Sequence, residues 1–317
     1  MRAKSSRFRA GRRNRGQGLF AAPPNVFTEV FTRLPDALRV VDTHSGWTRA
    51  RGGPPLHSFL EGPSFDRDGN LFCVDVAHGR IFRVDAGGQW QVFAEYDGHP
   101  NGLKIHRDGQ IYVADHARGL LRFDPHTGAR TVLADHFRGL NDLVFADNGD
   151  LYLTDPGESG LEDLHGRVYR WRADGTIDLL MDGLPYPNGL VLNGAQDVLY
   201  VGVSRSLQVL RLPLFDGRVR KAGVFQQLSG GLGGPDGMAI CDDGSLLVVH
   251  AGFGTVWMWS AIGEPLARIR SNAGIRTTNV AFHPVDRSLL FVTEAEHGAI
   301  LRVRLDRNGR TMYSHRD

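Results

Sequence analysis

Six short stretches of the chain repeat one pattern: EGPSFDRDGN from Glu61, NGLKIHRDGQ from Asn101, NDLVFADNGD from Asn141, NGLVLNGAQD from Asn188, DGMAICDDGS from Asp236 and NVAFHPVDRS from Asn279. Each opens on a side chain with an oxygen donor and runs through a short apolar strand to a turn. A second strand such as LFCVD, IYVAD, LYLTD or LLVVH follows. The first two intervals between openings are 40 residues, and the next three are 47, 48 and 43. Within one period four strands can be read, as in GLKIH, IYVAD, GLLRFD and ARTVLAD of the second repeat. Four short strands every 40–48 residues is the pattern of a propeller blade, and no stretch shows a sustained helical period. The expectation is an all-β, six-bladed β-propeller with four antiparallel strands per blade. It forms one domain over residues 21–317. The N-terminal VFTEVFTRL resembles the outer strands of the repeats and precedes blade one, so it is expected to close the ring by completing blade six. Residues Arg310–His315 compete for that place.

Composition narrows the function. Forty of the 317 residues are glycine, many in Asp-Gly and Asn-Gly pairs suited to tight hairpins. Cys73 and Cys241 sit in apolar strand patterns and read as small buried hydrophobes. No apolar run reaches the ~20 residues of a membrane span, and no secretory signal is seen, so no membrane is expected as partner and the cytoplasm is the default compartment. The net charge of +2 arises from seven Arg and Lys within residues 1–20, which contain no acid and read as a disordered basic tail. The remainder carries net negative charge, which argues against nucleic acid as a partner. A monomer or weak homodimer is expected.

Topology gives the repeated position its meaning. The first strand of each propeller blade lines the central channel, so the openings Glu61, Asn101, Asn141, Asn188, Asp236 and Asn279 are expected to ring one mouth. The second strand returns to the same end. It therefore brings Asp75, Asp115, Asp155, Val203, His250 and Glu294 to the top, one step from the axis. Two carboxylates and four carboxamides form an all-oxygen donor set suited to a hard cation, above all Ca²⁺. Asn, Asp and Gly are also common at turns, but six at one aligned position, including a Glu, favour a ligand ring. No GxSxG elbow, HExxH, CxxC or Walker loop competes.

The stretches LEGPSFD, GLNDLVF, PNGLVL and GPDGMAI resemble the senescence-marker-protein/gluconolactonase/luciferin-regenerating-enzyme family over residues 24–305. The resemblance implies a six-bladed propeller and hydrolysis of a lactone, such as an aldonolactone, with a divalent cation in the channel. That cation is usually Ca²⁺, with Zn²⁺, Mn²⁺ or Fe²⁺ as alternatives. It implies Glu61, Asn141, Asn188 and Asp236 as metal ligands and Asp236 as catalytic base or nucleophile. Asn101 and Asn279 are left as channel-lining residues. Candidate substrate contacts are Asn101, Arg138, Asp155 and His250. Where some sugar-lactonase relatives carry Arg two residues before the blade-three Asn, this chain has Gly139, with Arg138 one further away. Organophosphate triester hydrolysis at the same site, or a non-enzymatic scaffold with a structural cation, are the alternatives. Loops 44–57, 156–166 and 229–235 are expected to form the lip over the mouth.

Overall fold

The computed structural model describes residues 22–41, 45–51, 54–231 and 233–316; the expected basic tail lies outside them. Six antiparallel sheets surround a central channel. Blade one comprises Leu60–Phe65, Leu71–Asp75, Arg80–Val84 and Trp90–Glu95, and the same order repeats through blade five. The innermost strands of successive blades are Leu60–Phe65, Pro100–Ile105, Leu143–Phe145, Pro187–Leu192, Pro235–Ile240 and Thr277–Phe282. They lie side by side around the axis.

Each strand pleats its apolar residues onto both faces of its sheet, because every blade is sandwiched between two others. The core is accordingly a ring of inter-blade clusters. Val74, Ile81, Leu103 and Val113 fill the contact between blades one and two. Leu247, Val256, Leu290 and Val292 do the same between five and six. Cys73 and Cys241 are buried free thiols inside such clusters, where burial pushes the Cys241 thiol up to about 12.

The ring closes as expected from the N-terminal strand. Glu29–Arg33 pairs antiparallel with Ala299–Arg304 and supplies the outer strand of blade six. Just before it, Asn25–Phe27 adds a parallel fifth strand to blade five. One N-terminal segment therefore staples two blades together. The competing segment takes another course. From Asn308 to His315 the chain crosses the bottom of the channel and touches every blade. It bonds to Asp242, Ile240 and Arg287 of blades five and six, and to Asn193 and Asp147 of blades four and three. It then reaches Arg107 of blade two and Phe65 of blade one. Tyr313 stacks on Phe145, ring centroids 4.8 Å apart.

Register corrects one assignment. Pro100 opposes Asp115, Pro187 opposes Val203, Pro235 opposes His250, and in blade six Thr277 opposes Glu294. The residue following each of these holds the repeated position, so blade six presents Thr278 there. Asn279 falls one place later, with Gly62, Gly102, Asp142, Gly189 and Gly237. The Glu-Asn-Asn-Asn-Asp-Asn ring is thus Glu61, Asn101, Asn141, Asn188, Asp236 and Thr278. The region 44–57, expected as loop, contains a short helix, Gly46–Ala50, capped by Ser45 Oγ accepting from the Thr48 amide.

Candidate active site at the channel mouth

The innermost strands of blades one, two, four, five and six each carry a register shift at the ring position, between Glu61 and Ser64 in blade one and between Pro235 and Met238 in blade five. A bulge breaks the period-two alternation and lets two consecutive residues approach the axis. In four blades the second of these is glycine, and close approach explains why. A Cβ on Gly62 would stand 2.6 Å from the Asn101 carbonyl oxygen, and one on Gly102 would stand 2.5 Å from Asp142 Oδ1. A Cβ on Gly237 would enter the Asn279 side chain. The two exceptions use the space the glycines leave: Asp142 of blade three and Asn279 of blade six.

Those two residues form a layer beneath the ring. Asn279 Nδ2 donates to Glu61 Oε2 at 2.9 Å and to Asp142 Oδ2 at 3.3 Å. Thr154 and Thr293 hold the layer in place, accepting the amides of Asp142 and Asn279 at 3.0 Å. Glu61 Oε2 also accepts the Gly62 amide at 2.6 Å. On the opposite side of the ring, Asn188 Nδ2 donates to Ser204 Oγ at 3.1 Å, and the Asn188 side chain favours the charged form of Asp236. Ser204 in turn donates to the Pro235 carbonyl at 2.7 Å. Asn141 is buried, and its Oδ1 has no hydrogen-bond partner.

The second tier of polar residues has another role. Asp75, Asp115, Asp155, His250 and Glu294 are all fully buried. Asp75 Oδ1 accepts the Phe59 amide at 2.7 Å, Asp115 Oδ1 that of His99 at 3.1 Å, and Asp155 Oδ1 that of Gly139 at 2.8 Å. In each case the amide lies two residues before a ring residue. These carboxylates therefore fix the backbone that delivers Glu61, Asn101 and Asn141 to the mouth. Asp155, expected to touch substrate, has both oxygens committed to the amides of Arg138 and Gly139. The Arg138 side chain is exposed, and its charge bears on Asp182 in the outer strand of blade three. His250 lies buried beneath Gly231 of the glycine-rich lip, its Nδ1 accepting from Trp257 Nε1 at 3.3 Å. Asn101 holds the blade-two ring position half-buried, as expected.

The electrostatics are those of too much negative charge in one place. Burial and the neighbouring Asp142 carboxylate raise Glu61 to about 8, against the bonds from Asn279 and Gly62 and the field of Lys104. Burial raises Asp142 likewise. Asp236 is raised well above the carboxylate range by burial and then by Glu61 and Asp142. Three carboxylates share one opening with a single lysine as counter-charge. Together with the unpartnered Asn141 oxygen, this all-oxygen set fits a hard divalent cation. Asp142 was not among the expected site residues, and Asn279, expected to line the channel, does so one place below the ring; the signal for Asp142 was the break in the X-Gly dipeptide at Asn141-Asp142.

Above the ring opens a cleft of about 950 Å³ lined by Asn188, Ser204, Asp236, Tyr186, Arg205 and Glu158 among others. Glu158 latches its rim. Its carboxylate accepts from Arg51 Nη2 at 2.7 Å, lies 3.2 Å from His116 Nε2 and faces Arg205. The short helix and the 156–166 loop thereby meet over one side of the mouth.

The family model described as SMP-30/Gluconolactonase/LRE-like region matches residues 59–296. A protein named gluconolactonase from Zymomonas mobilis is 31% identical, covering 77% of this chain and 78% of that one. Lactonase drp35 from Staphylococcus aureus is 26% identical over 76% of this chain and 81% of its own length. Among solved structures, the calcium-binding protein regucalcin from Agrobacterium tumefaciens superposes with a TM-score of 0.75 at 23% identity, covering 93% of this chain and 100% of that one. Glu61, Asn141, Asn188 and Asp236 all fall inside the matched span, so the propeller and its mouth are included in the likeness: the chain belongs to the SMP-30/gluconolactonase/LRE-like family.

Proposed function

We propose that the protein is a lactonase that opens a lactone, such as an aldonolactone, to its hydroxy acid, using a divalent cation held at the channel mouth. The observation that carries this reading is the crowding of Glu61, Asp142 and Asp236 beside the unpartnered Asn141 Oδ1, directly under an open cleft. The names of its relatives, gluconolactonase and lactonase drp35, support the reaction class, and the calcium-binding neighbour supports Ca²⁺ as the ion.

Glu61, Asn141, Asn188 and Asp236 would hold the cation, which supplies a Lewis acid for the lactone carbonyl and stabilises the developing oxyanion. The chain's own groups do the rest. Asp236 is the least buried of the three carboxylates and the only one lining the cleft. Beside the cation its carboxylate would be held ionised, so it could take a proton from water attacking the carbonyl carbon. The same oxygen then returns the proton to the ring oxygen as the C–O bond breaks, releasing carboxylate and hydroxyl. Asn188 steadies the base through its amide, and Ser204 fixes Asn188. The latch at Glu158 limits water entry on one side.

Replacing Asp236 by Asn tests the assignment. Acid release from a lactone panel is expected to fall by roughly 10²–10⁴-fold, with the melting temperature confirming an intact fold. Undiminished turnover would refute the role given to Asp236.

A further inference from the structure

Below the Asp142–Asn279 layer the channel contains a cavity of about 120 Å³, floored by the C-terminal crossing. Its walls include Val144, Leu190, Met238, Val280 and Phe282. At the floor Arg310 and Arg316 share the one carboxylate of Asp147. On the wall stands a further cation with no ion-pair partner among the described residues. Lys104 lies on the innermost strand of blade two, two residues beyond the glycine that abuts Asp142. It forms no salt bridge among the described residues, and its field falls on Glu61 and Asp142.

We propose that Lys104 is a fixed counter-charge that restricts the channel to one divalent cation and sets how tightly that cation is held. The inference rests on the proposed cation site. Three carboxylates and one ammonium leave a net charge of −2, the complement of a single divalent ion. The ammonium stands on the cavity side, the side from which a second ion would have to approach Asp142. Lys104 is half-buried against these apolar walls, so water screens its charge only in part and a further cation approaching from that side is repelled. A site with the three acids alone would favour a trivalent ion or admit a second divalent one. Lys104 is therefore a selectivity residue that acts through the ligands and touches no substrate.

Metal binding to the full chain, stripped with chelator and titrated at about pH 9, above the value of about 8 to which Glu61 is raised, tests the idea. Calorimetry with Ca²⁺ and luminescence with Tb³⁺ should show one ion per parental chain. Lys104→Met should bind Ca²⁺ at least roughly tenfold more tightly and gain still more for Tb³⁺, because Coulomb repulsion scales with ionic charge. Lys104→Arg should restore the parental values, and Lys104→Gln serves where the methionine variant fails to fold. In chelator the methionine variant should melt lower than the parent, and with Ca²⁺ higher. Unchanged affinity and Tb³⁺/Ca²⁺ preference in Lys104→Met, or two Ca²⁺ of similar affinity in the parent, would overturn the proposal. A parental chain that binds no divalent ion would instead overturn the cation site itself.

Discussion

Glu61→Gln provides a direct handle on the buried charge. In the metal-free protein Glu61 keeps its proton up to about pH 8, whereas an unfolded chain releases it near 4.5. Between those values the unfolded state has lost a proton that the folded state still holds, so rising pH favours unfolding. Each pH unit is worth about 1.4 kcal/mol, and the full window sets an upper limit of about 5 kcal/mol for this group. Asp142 and Asp236 act with the same sign and share the cost. Buried histidines such as His250 and His116, whose affinities for protons are lowered mainly by burial, act with the opposite sign below about pH 6.5. The informative quantity is therefore the difference between variant and parent. The glutamine keeps an acceptor for Asn279 Nδ2 and for the Gly62 amide but carries no ionisable group. In chelator the two proteins should melt together near pH 5. At pH 8 the variant should melt higher, by roughly 5–10 °C at about 2 °C per kcal/mol for a chain of this size. Ca²⁺ should reverse the order, because only the parent offers the carboxylate, and its stabilisation of the parent should grow with pH. Differential scanning calorimetry from pH 5 to 8, with chelator and with Ca²⁺, makes the measurement. Parallel parental and variant profiles in chelator would refute the crowding account.

Two further perturbations probe the frame around the site. Gly62→Ala forces a Cβ against the Asn101 carbonyl oxygen and the Leu103 amide at a residue with φ +55°; it should cost about 2–4 kcal/mol in denaturant unfolding and weaken metal binding. Tyr313→Ala removes the ring stacked on Phe145 and bonded by Arg107, and should lower stability by about 2–4 kcal/mol. Because the C-terminal crossing lies at the opposite end of the channel from Asp236, lactone turnover by the folded fraction should be unchanged.

The propeller was legible because a spacing of 40–48 residues, Asp-Gly and Asn-Gly turns and apolar strands agree. The N-terminal closure was legible for the same reason: VFTEVFTRL looks like an outer strand. The inner geometry was less so. Blade six was misaligned because its turn, HPVDRS, lacks the Asp-Gly or Asn-Gly pair of the other five turns, and Asn279 imitates the asparagines of the true ring. Asp142 was hidden because Asn141 and Asp142 both bond to the backbone of Thr154, so two consecutive residues face the axis where strand alternation allows one. The acids ending the second strands were placed at the correct end of the channel. Their use was not visible, because only coordinates show that Asp75, Asp115 and Asp155 are occupied by backbone amides two residues before the ring. Arg138, Asp155 and His250 were chosen for chemistry and position along the chain. Asp155 and His250 are buried and Arg138 is exposed, a difference that chain position alone does not reveal. The C-terminal crossing obeys no period and makes its contacts across all six blades, so nothing local announces it.

The central claim is that lactone hydrolysis occurs at a single cation held by the mouth ring. Chelator-stripped protein, titrated with Ca²⁺ while acid release from a lactone is followed by pH-stat and bound metal by elemental analysis, tests it most directly. Activity should be absent in chelator, rise in proportion to bound ion, and reach its plateau at one ion per chain. Full turnover in the stripped protein would contradict the account.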